Sequence, residues 1–225
     1  FALDALGVKR LGPAPYSPDF IAPGRLGKDL ADTGHVMYRQ GLQVEAAEGA
    51  QVLSPMIQPY FNRTWEHFCS HRHTPADRMA DYPGVVQNGS CIYFMHPVFA
   101  QYDQNAPLWC KRLMQEAIDR LLPDPAVQTD APSSALFALN HQPEKQRLVL
   151  HALHYIPERR GQDFDTIEDT IPLHDVRMTV RPPGEIGAVS LIPNGDALDF
   201  VDRDGRVEFT IPSINGAAWA ELKLA

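Results

Sequence analysis

Proline recurs about once in every eleven residues of this 225-residue chain, twenty in all, against a usual share of about 5%. Proline fixes φ and lacks a backbone N–H, so it ends helices and is kept out of sheet interiors. The residues cluster in GPAPYSPDFIAPG (12–24), LLPDP (121–125) and VRPPG (180–184). Such clusters limit the chain to short elements joined by stiff connections. The sequence contains no internal repeat and no low-complexity tract.

Between those markers the first half has a mixed α/β texture. LQVEAAEGAQVLSPMI (42–57) holds two β-like runs separated by EGA and reads as a hairpin. In YPGVVQNGSCIYFMHP (82–97), Asn88-Gly89 stands between Val85-Val86 and Ile92-Tyr93-Phe94. That dipeptide is favoured where both central turn residues need positive φ. APLWCKRLMQEAIDRLL (106–122) predicts a helix, with Cys110, Leu113, Met114, Ala117, Ile118 and Leu121 at helical spacing. Asn105 is placed to cap it, Pro107 suits its first turn, and Pro123 and Pro125 stop it. The opening FALDALGVKRLG reads as a helix end and turn.

From residue 126 onward the pattern changes to short alternating runs. RLVLHALHYIP (147–157) is one strand. HDVRMTVRPP (174–183) points Val176, Met178 and Val180 inward. VEFTIP (207–212) does the same with Val207, Phe209 and Ile211, and AAWAELKLA (217–225) with Ala218, Ala220, Leu222 and Leu224. Asp204-Gly205 supplies another hairpin turn. Short strands with turn signals about every ten residues predict a β-sandwich. Two domains are expected, 1–125 as α/β and 126–225 as all-β.

The net charge of −8 and the scarcity of basic clusters argue against a nucleic-acid surface. No apolar run reaches the roughly 20 residues of a membrane helix, and no signal segment opens the chain. Cys69, Cys91 and Cys110 are odd in number and form no CxxC, which fits free thiols in a reducing, cytoplasmic setting. A periplasmic location stays open, because a chain starting at Phe1 reads as part of something longer.

Chemistry-bearing side chains concentrate in YFNRTWEHFCSHRHTPAD (60–77), with one Trp, three His, two Arg and one Cys. Cys69, His71 and His73 alternate, so on a strand the outer pair would stand about 13 Å apart. That span cannot close a shell of ~2.0–2.3 Å metal bonds. A thiol nucleophile at Cys69 lacks the glycine-flanked turn that exposes such groups. No metal and no cofactor is expected. Two readings remain open: a structural loop, or a wall for a sugar, with Trp65 stacking on a pyranose face and Arg63, His67, His71, Arg72 and His73 holding hydroxyls. The carboxylates Asp163, Asp165, Glu168 and Asp169 read as solvated charge rather than a catalytic pair. His151 and His154 lie on opposite faces of a strand and read as structural. Glycine-rich phosphate loops, HExxH and GxSxG are all missing.

VVQNGSCIYFMHPVFAQYDQNAPLWCKRLMQEAIDRLLPDP resembles the end of the trimerisation domain of family 42 β-galactosidases. FNRTWEHFCSHRHTP and RLVLHALHYIPERRGQDFDTIEDTIPLHDV are more similar to hypothetical glycoside-hydrolase relatives and to α-L-fucosidase-like enzymes. The resemblance spans essentially the whole chain. It implies the C-terminal half of a flavodoxin-like, class I glutamine-amidotransferase-like trimerisation domain, then a small C-terminal β-sandwich. It further implies a catalytic (β/α)8 barrel outside this chain, a carbohydrate substrate, and a homotrimer at full length. The expected role is therefore non-catalytic assembly plus part of an active-site wall. The alternative is a stand-alone carbohydrate-binding or scaffold protein.

Overall fold

The crowding of prolines near the N-terminus leaves room for only short strands there. In the computed structural model, which describes residues 4–225, the chain separates into two compact units. One ends at Pro123 and the other runs from Asp124 to Ala225.

The first unit contains β1 (Val8–Pro13), β2 (Asp19–Ile21), β3 (His35–Met37), β4 (Leu42–Ala46), β5 (Gln51–Pro59), β6 (Ala76–Asn88) and β7 (Cys91–Phe94). Two helices follow, α1 (Val98–Asn105) and α2 (Leu108–Leu121). β1 and β4 form a separate ribbon, and the remaining strands make a five-stranded sheet in the order β3-β2-β5-β6-β7. Every pairing is antiparallel.

That arrangement overturns the flavodoxin-like α/β expectation for the first half. A parallel sheet needs a crossover of a dozen or more residues, usually a helix, between neighbouring strands. Here both helices come after the last strand instead of between strands. The 42–57 hairpin is also absent. β4 pairs with β1, while β5 pairs with β2 and β6, so the turn after Ala46 hands the chain from ribbon to sheet.

Two boundaries move for local reasons. Asn88 pairs with Cys91, so the β6–β7 turn is Gly89-Ser90, and Gly89 alone takes positive φ, +55°. Asn88 instead donates its amide to the Asp4 and Ala5 carbonyls. The helix expected from 106 starts at Leu108, because α1 ends in a left-handed Ala106 and Pro107 caps the next helix. Asn105 closes α1 rather than capping α2. α2 buries Cys110, Leu113, Met114 and Ala117 against Ile21, Met37, Leu53, Met56 and Val85, while Ile118 and Leu121 are exposed. Each fully buried large aliphatic side chain in that core contributes about 1.5–3 kcal/mol. Of the opening segment, residues 1–3 lie outside the described residues, and Asp4–Leu6 forms one 3₁₀ turn.

The second unit contains β8 (Val127–Thr129), β9 (Ala135–Gln142), β10 (Arg147–His154), β11 (Glu158–Arg159), β12 (Asp165–Thr166), β13 (Leu173–Val180), β14 (Ile186–Ile192), β15 (Asp196–Ala197), β16 (Phe200–Arg203), β17 (Arg206–Ile214) and β18 (Ala217–Leu224). A five-stranded sheet, β15-β14-β18-β10-β9, and a four-stranded sheet, β16-β17-β13-β8, share one core. Val176, Met178 and Val180 of β13 meet Leu148, Leu150, Ala220 and Leu222 of the other sheet in that core. The period-2 pattern drives this, since alternate residues of each strand point to one face. At Asp204-Gly205 both residues have positive φ, 54° and 75°, as a two-residue hairpin turn requires. β11 and β12 form a small hairpin arm outside both sheets.

Candidate functional site

Residues 60–75 of the 60–77 stretch connect the adjacent antiparallel strands β5 and β6, and Ala76 and Asp77 open β6. Its root is tied shut. Tyr60 N–H donates to the Pro75 carbonyl at 3.3 Å, and the Thr74 hydroxyl donates to the Phe61 carbonyl at 3.0 Å. Asn62 clamps the neighbouring 15–17 segment, accepting from Ser17 N–H at 2.9 Å and donating to the Pro15 carbonyl at 2.8 Å.

The tip is shaped by a Thr64–His67 turn. Thr64 N–H donates to the His67 carbonyl at 2.8 Å, and the Thr64 hydroxyl oxygen accepts from His67 N–H at 3.0 Å. This turn lifts Trp65 to 89% exposure, and Phe68 stands beside it at 69%. The Arg63 guanidinium lies 5.3 Å from the centre of the Phe68 ring. His67 is exposed with its ring 5.9 Å from that of Phe61, and His71 is exposed as well. The loop therefore presents flat apolar faces and nitrogen donors together.

Arg72 and His73 differ from the other predicted residues. The Arg72 guanidinium stacks 4.6 Å from the Tyr38 ring centre, and half-buried His73 meets both Phe20 and Tyr38 edge-on at 5.6 Å. They fasten the loop to the β2–β3 layer. Tyr38 is itself fixed from behind by Gln101 of α1. The buried Gln101 amide oxygen accepts from Tyr38 N–H at 2.9 Å, and its nitrogen donates to the Val36 carbonyl at 3.1 Å.

Cys69 points its sulfur at the His71 and His73 carbonyls, 3.4 and 3.7 Å away. Carbonyls accept from a thiol, whereas a nucleophile needs a base at its sulfur. Among the described residues, no three His, Cys, Asp or Glu side chains gather closely enough to hold a metal ion.

In the second unit two of the four carboxylates of 163–169, Asp165 and Glu168, are held by arginines. Asp165 pairs with Arg159 at 2.7 Å, and Arg160 bridges Glu158 and Glu168. His154 is buried, with Nδ1 3.0 Å from the Ile171 carbonyl and Nε2 3.1 Å from Ser134 Oγ. A carbonyl only accepts, so Nδ1 carries the proton and keys the connection between β12 and β13 to β10.

Sequence reading missed Phe68 and Tyr38 as partners of the loop's cations, although both are aromatics set among polar neighbours. It also missed a buried polar pair in the first unit. His96 Nε2 lies 2.7 Å from Asp19 Oδ1, each side chain only 1% exposed. Tyr82 is buried in the same unit, and burial, reinforced by the Asp19 charge, raises its phenol above the ordinary value. Nothing local marks this pair, because its members are 77 residues apart.

No family profile and no curated protein matches the chain. Among solved structures, 98% of the chain superposes on alpha-L-fucosidase isoenzyme 2 from Paenibacillus thiaminolyticus, with a TM-score of 0.91 and 30% identity. The fold is thus glycoside-hydrolase-related. The chain spans 34% of that neighbour's length. Among the described residues no helix is long and apolar enough to cross a membrane.

Proposed function

We propose that this chain is the accessory part of an α-L-fucosidase-like glycoside hydrolase. It contributes assembly surface and one wall of a sugar-binding site, while a (β/α)8 barrel elsewhere in the parent protein supplies acid and nucleophile. The observation that carries this reading is the superposition of nearly the whole chain on about a third of an α-L-fucosidase. Of the two parents the sequence resembles, that match favours the fucosidase-like one over the β-galactosidase-like one.

The β5–β6 loop has the chemistry such a wall needs. An exposed indole stacks on the C–H face of a pyranose, and Arg63, His67 and His71 offer donors to its hydroxyls. Arg72 and His73 hold the wall in place through Tyr38. The assembly role is supported by the hairpin arm of the second unit. Phe164, Ile167 and Ile171 are exposed there, while Arg159 pairs with Asp165 and Arg160 with Glu158 and Glu168. An exposed apolar patch among largely internal ion pairs favours burial against protein, and a homotrimer of the full-length enzyme is the assembly we propose.

The test uses a nitrophenyl α-L-fucoside. In the full-length enzyme, Trp65→Ala, His67→Ala and His71→Ala are each expected to lower kcat/KM roughly tenfold or more, about 1.4 kcal/mol of transition-state binding. The isolated chain is expected to give no turnover above blank. If all three variants stay within twofold, the loop is structural; turnover by the isolated chain would place the chemistry here and sink the reading.

A further inference from the structure

The second unit carries a groove of about 780 Å³ that none of the chemistry above uses. Arg177 and Thr179 of β13 and Glu208, Thr210 and Pro212 of β17 line it. They alternate with the buried Val176, Met178, Val207, Phe209 and Ile211, so they share the outer face of the four-stranded sheet. The connection Ala197–Phe200 also lines the groove, as it passes from β15 in one sheet to β16 in the other. Leu198 N–H anchors that connection to the Val189 carbonyl at 2.9 Å.

The register sets the polar groups out in two rows. Arg177 stands opposite Thr210, and Thr179 opposite Glu208, which in turn faces Val201 of β16. Directly opposed residues have Cβ atoms about 4.5–5.5 Å apart, a spacing on the scale of a sugar ring. The rows offer hydroxyls, a guanidinium donor and a carboxylate acceptor next to the apolar carbons of Leu198, Val201 and Pro212.

Charge selects among possible ligands. Asp130 accepts from Arg177 N–H at 2.9 Å and from its Nε at 2.8 Å, and these bonds hold the Asp130 carboxyl below its ordinary pKa. This brace aims the guanidinium and balances its charge. Glu208 is balanced by Arg203, 3.7 Å away. Asp199 also lines the groove and forms no ion pair among the described residues, so its carboxylate disfavours an anion and offers hydroxyl groups one more acceptor. Mixed donors and acceptors beside apolar carbons suit a neutral polyol, and the volume falls in the ~300–1,000 Å³ range of small-ligand clefts.

We propose that this groove binds a short neutral oligosaccharide, as a second sugar site separate from the β5–β6 loop. Only the choice of probe sugar rests on the function proposed above. The experiment titrates the isotope-labelled 225-residue chain with 2′-fucosyllactose and, separately, with lactose, following backbone amides by NMR. Saturable shifts are expected at Arg177, Thr179, Val201 and Thr210 with at least one sugar, with a Kd on the order of 1 mM. Arg177→Leu and Thr210→Val should each weaken it at least about fivefold, with the rest of the spectrum unchanged to show that the fold is kept. Shifts with fucosyllactose alone assign the groove to the fucosyl residue; shifts with both assign it to the shared disaccharide. No saturable shift at these amides with either sugar, or affinity unchanged in both variants, overturns the proposal. Shifts confined to the 60–75 loop also overturn it, while leaving the wall reading intact.

Discussion

His96 and Asp19 bind each other inside the first unit with almost no solvent contact, and their outer atoms, His96 Nδ1 and Asp19 Oδ2, have no further hydrogen-bond partner. Removing either member strands the other in an apolar surround, which costs far more than the pair itself contributes. His96→Ala is therefore expected to destabilise the chain by about 3 kcal/mol or more in urea unfolding; a loss under about 1 kcal/mol would show that the pair is solvated. Cys110 gives a second residue-level expectation. Burial pushes its thiol from an ordinary 9.0 up to about 11. The native state thus keeps a proton that the unfolded chain releases between those values, so stability is intact below pH 9 and falls toward pH 11. Cys110→Ala should flatten that alkaline slope in thermal melts recorded from pH 8 upward, and an unchanged slope would assign it to other groups.

Among the elements, α1 shows how a helix remote in sequence governs the loop. Gln101 holds Tyr38, and Tyr38 receives Arg72 and His73. Gln101→Leu leaves the Tyr38 N–H without its acceptor and is expected to cost about 1–3 kcal/mol. It should also speed hydrogen exchange within 60–75, whereas Trp65→Ala, at the exposed tip, should change stability by no more than about 0.5 kcal/mol. Exchange in the loop unaltered by Gln101→Leu would mean that the stacking on Tyr38 does not restrain it. In the second unit β13 and β17 were legible because each buries one face, and so the period-2 pattern survives in Val176-Met178-Val180 and Val207-Phe209-Ile211. β2 was not: Asp19-Phe20-Ile21 is buried throughout and shows no alternation. β5 was legible as a β-like run but its pairing was not, because Gln51–Pro59 has an irregular burial pattern with repeated register shifts against β6. α1 was invisible for another reason: only Val98 and Gln101 of its eight residues are buried, too few for a helical stripe. At the loop, residue types pointed to Trp65 and the histidines, but nothing in the spacing separated the exposed tip from the anchored Arg72 and His73. Only the positions of Phe20 and Tyr38 make that division.

At the scale of the whole molecule, each unit encloses its own core, one built from the antiparallel sheet and α2, the other from two facing sheets. Residues 124–225 expressed alone are expected to unfold in a single cooperative transition by circular dichroism, as small single domains do; a broad, non-cooperative melt would show that this core depends on the first unit. The tied root of the β5–β6 loop has a wider consequence. Tyr60 and Pro75 are already joined across the strand pair, so the sheet does not need the fourteen residues between them to keep its register. Lengthening a loop whose ends are pinned costs little, since closure entropy grows only with the logarithm of its length. The segment is a cassette: descendants of such a chain can trade one tip for another without renegotiating the fold beneath.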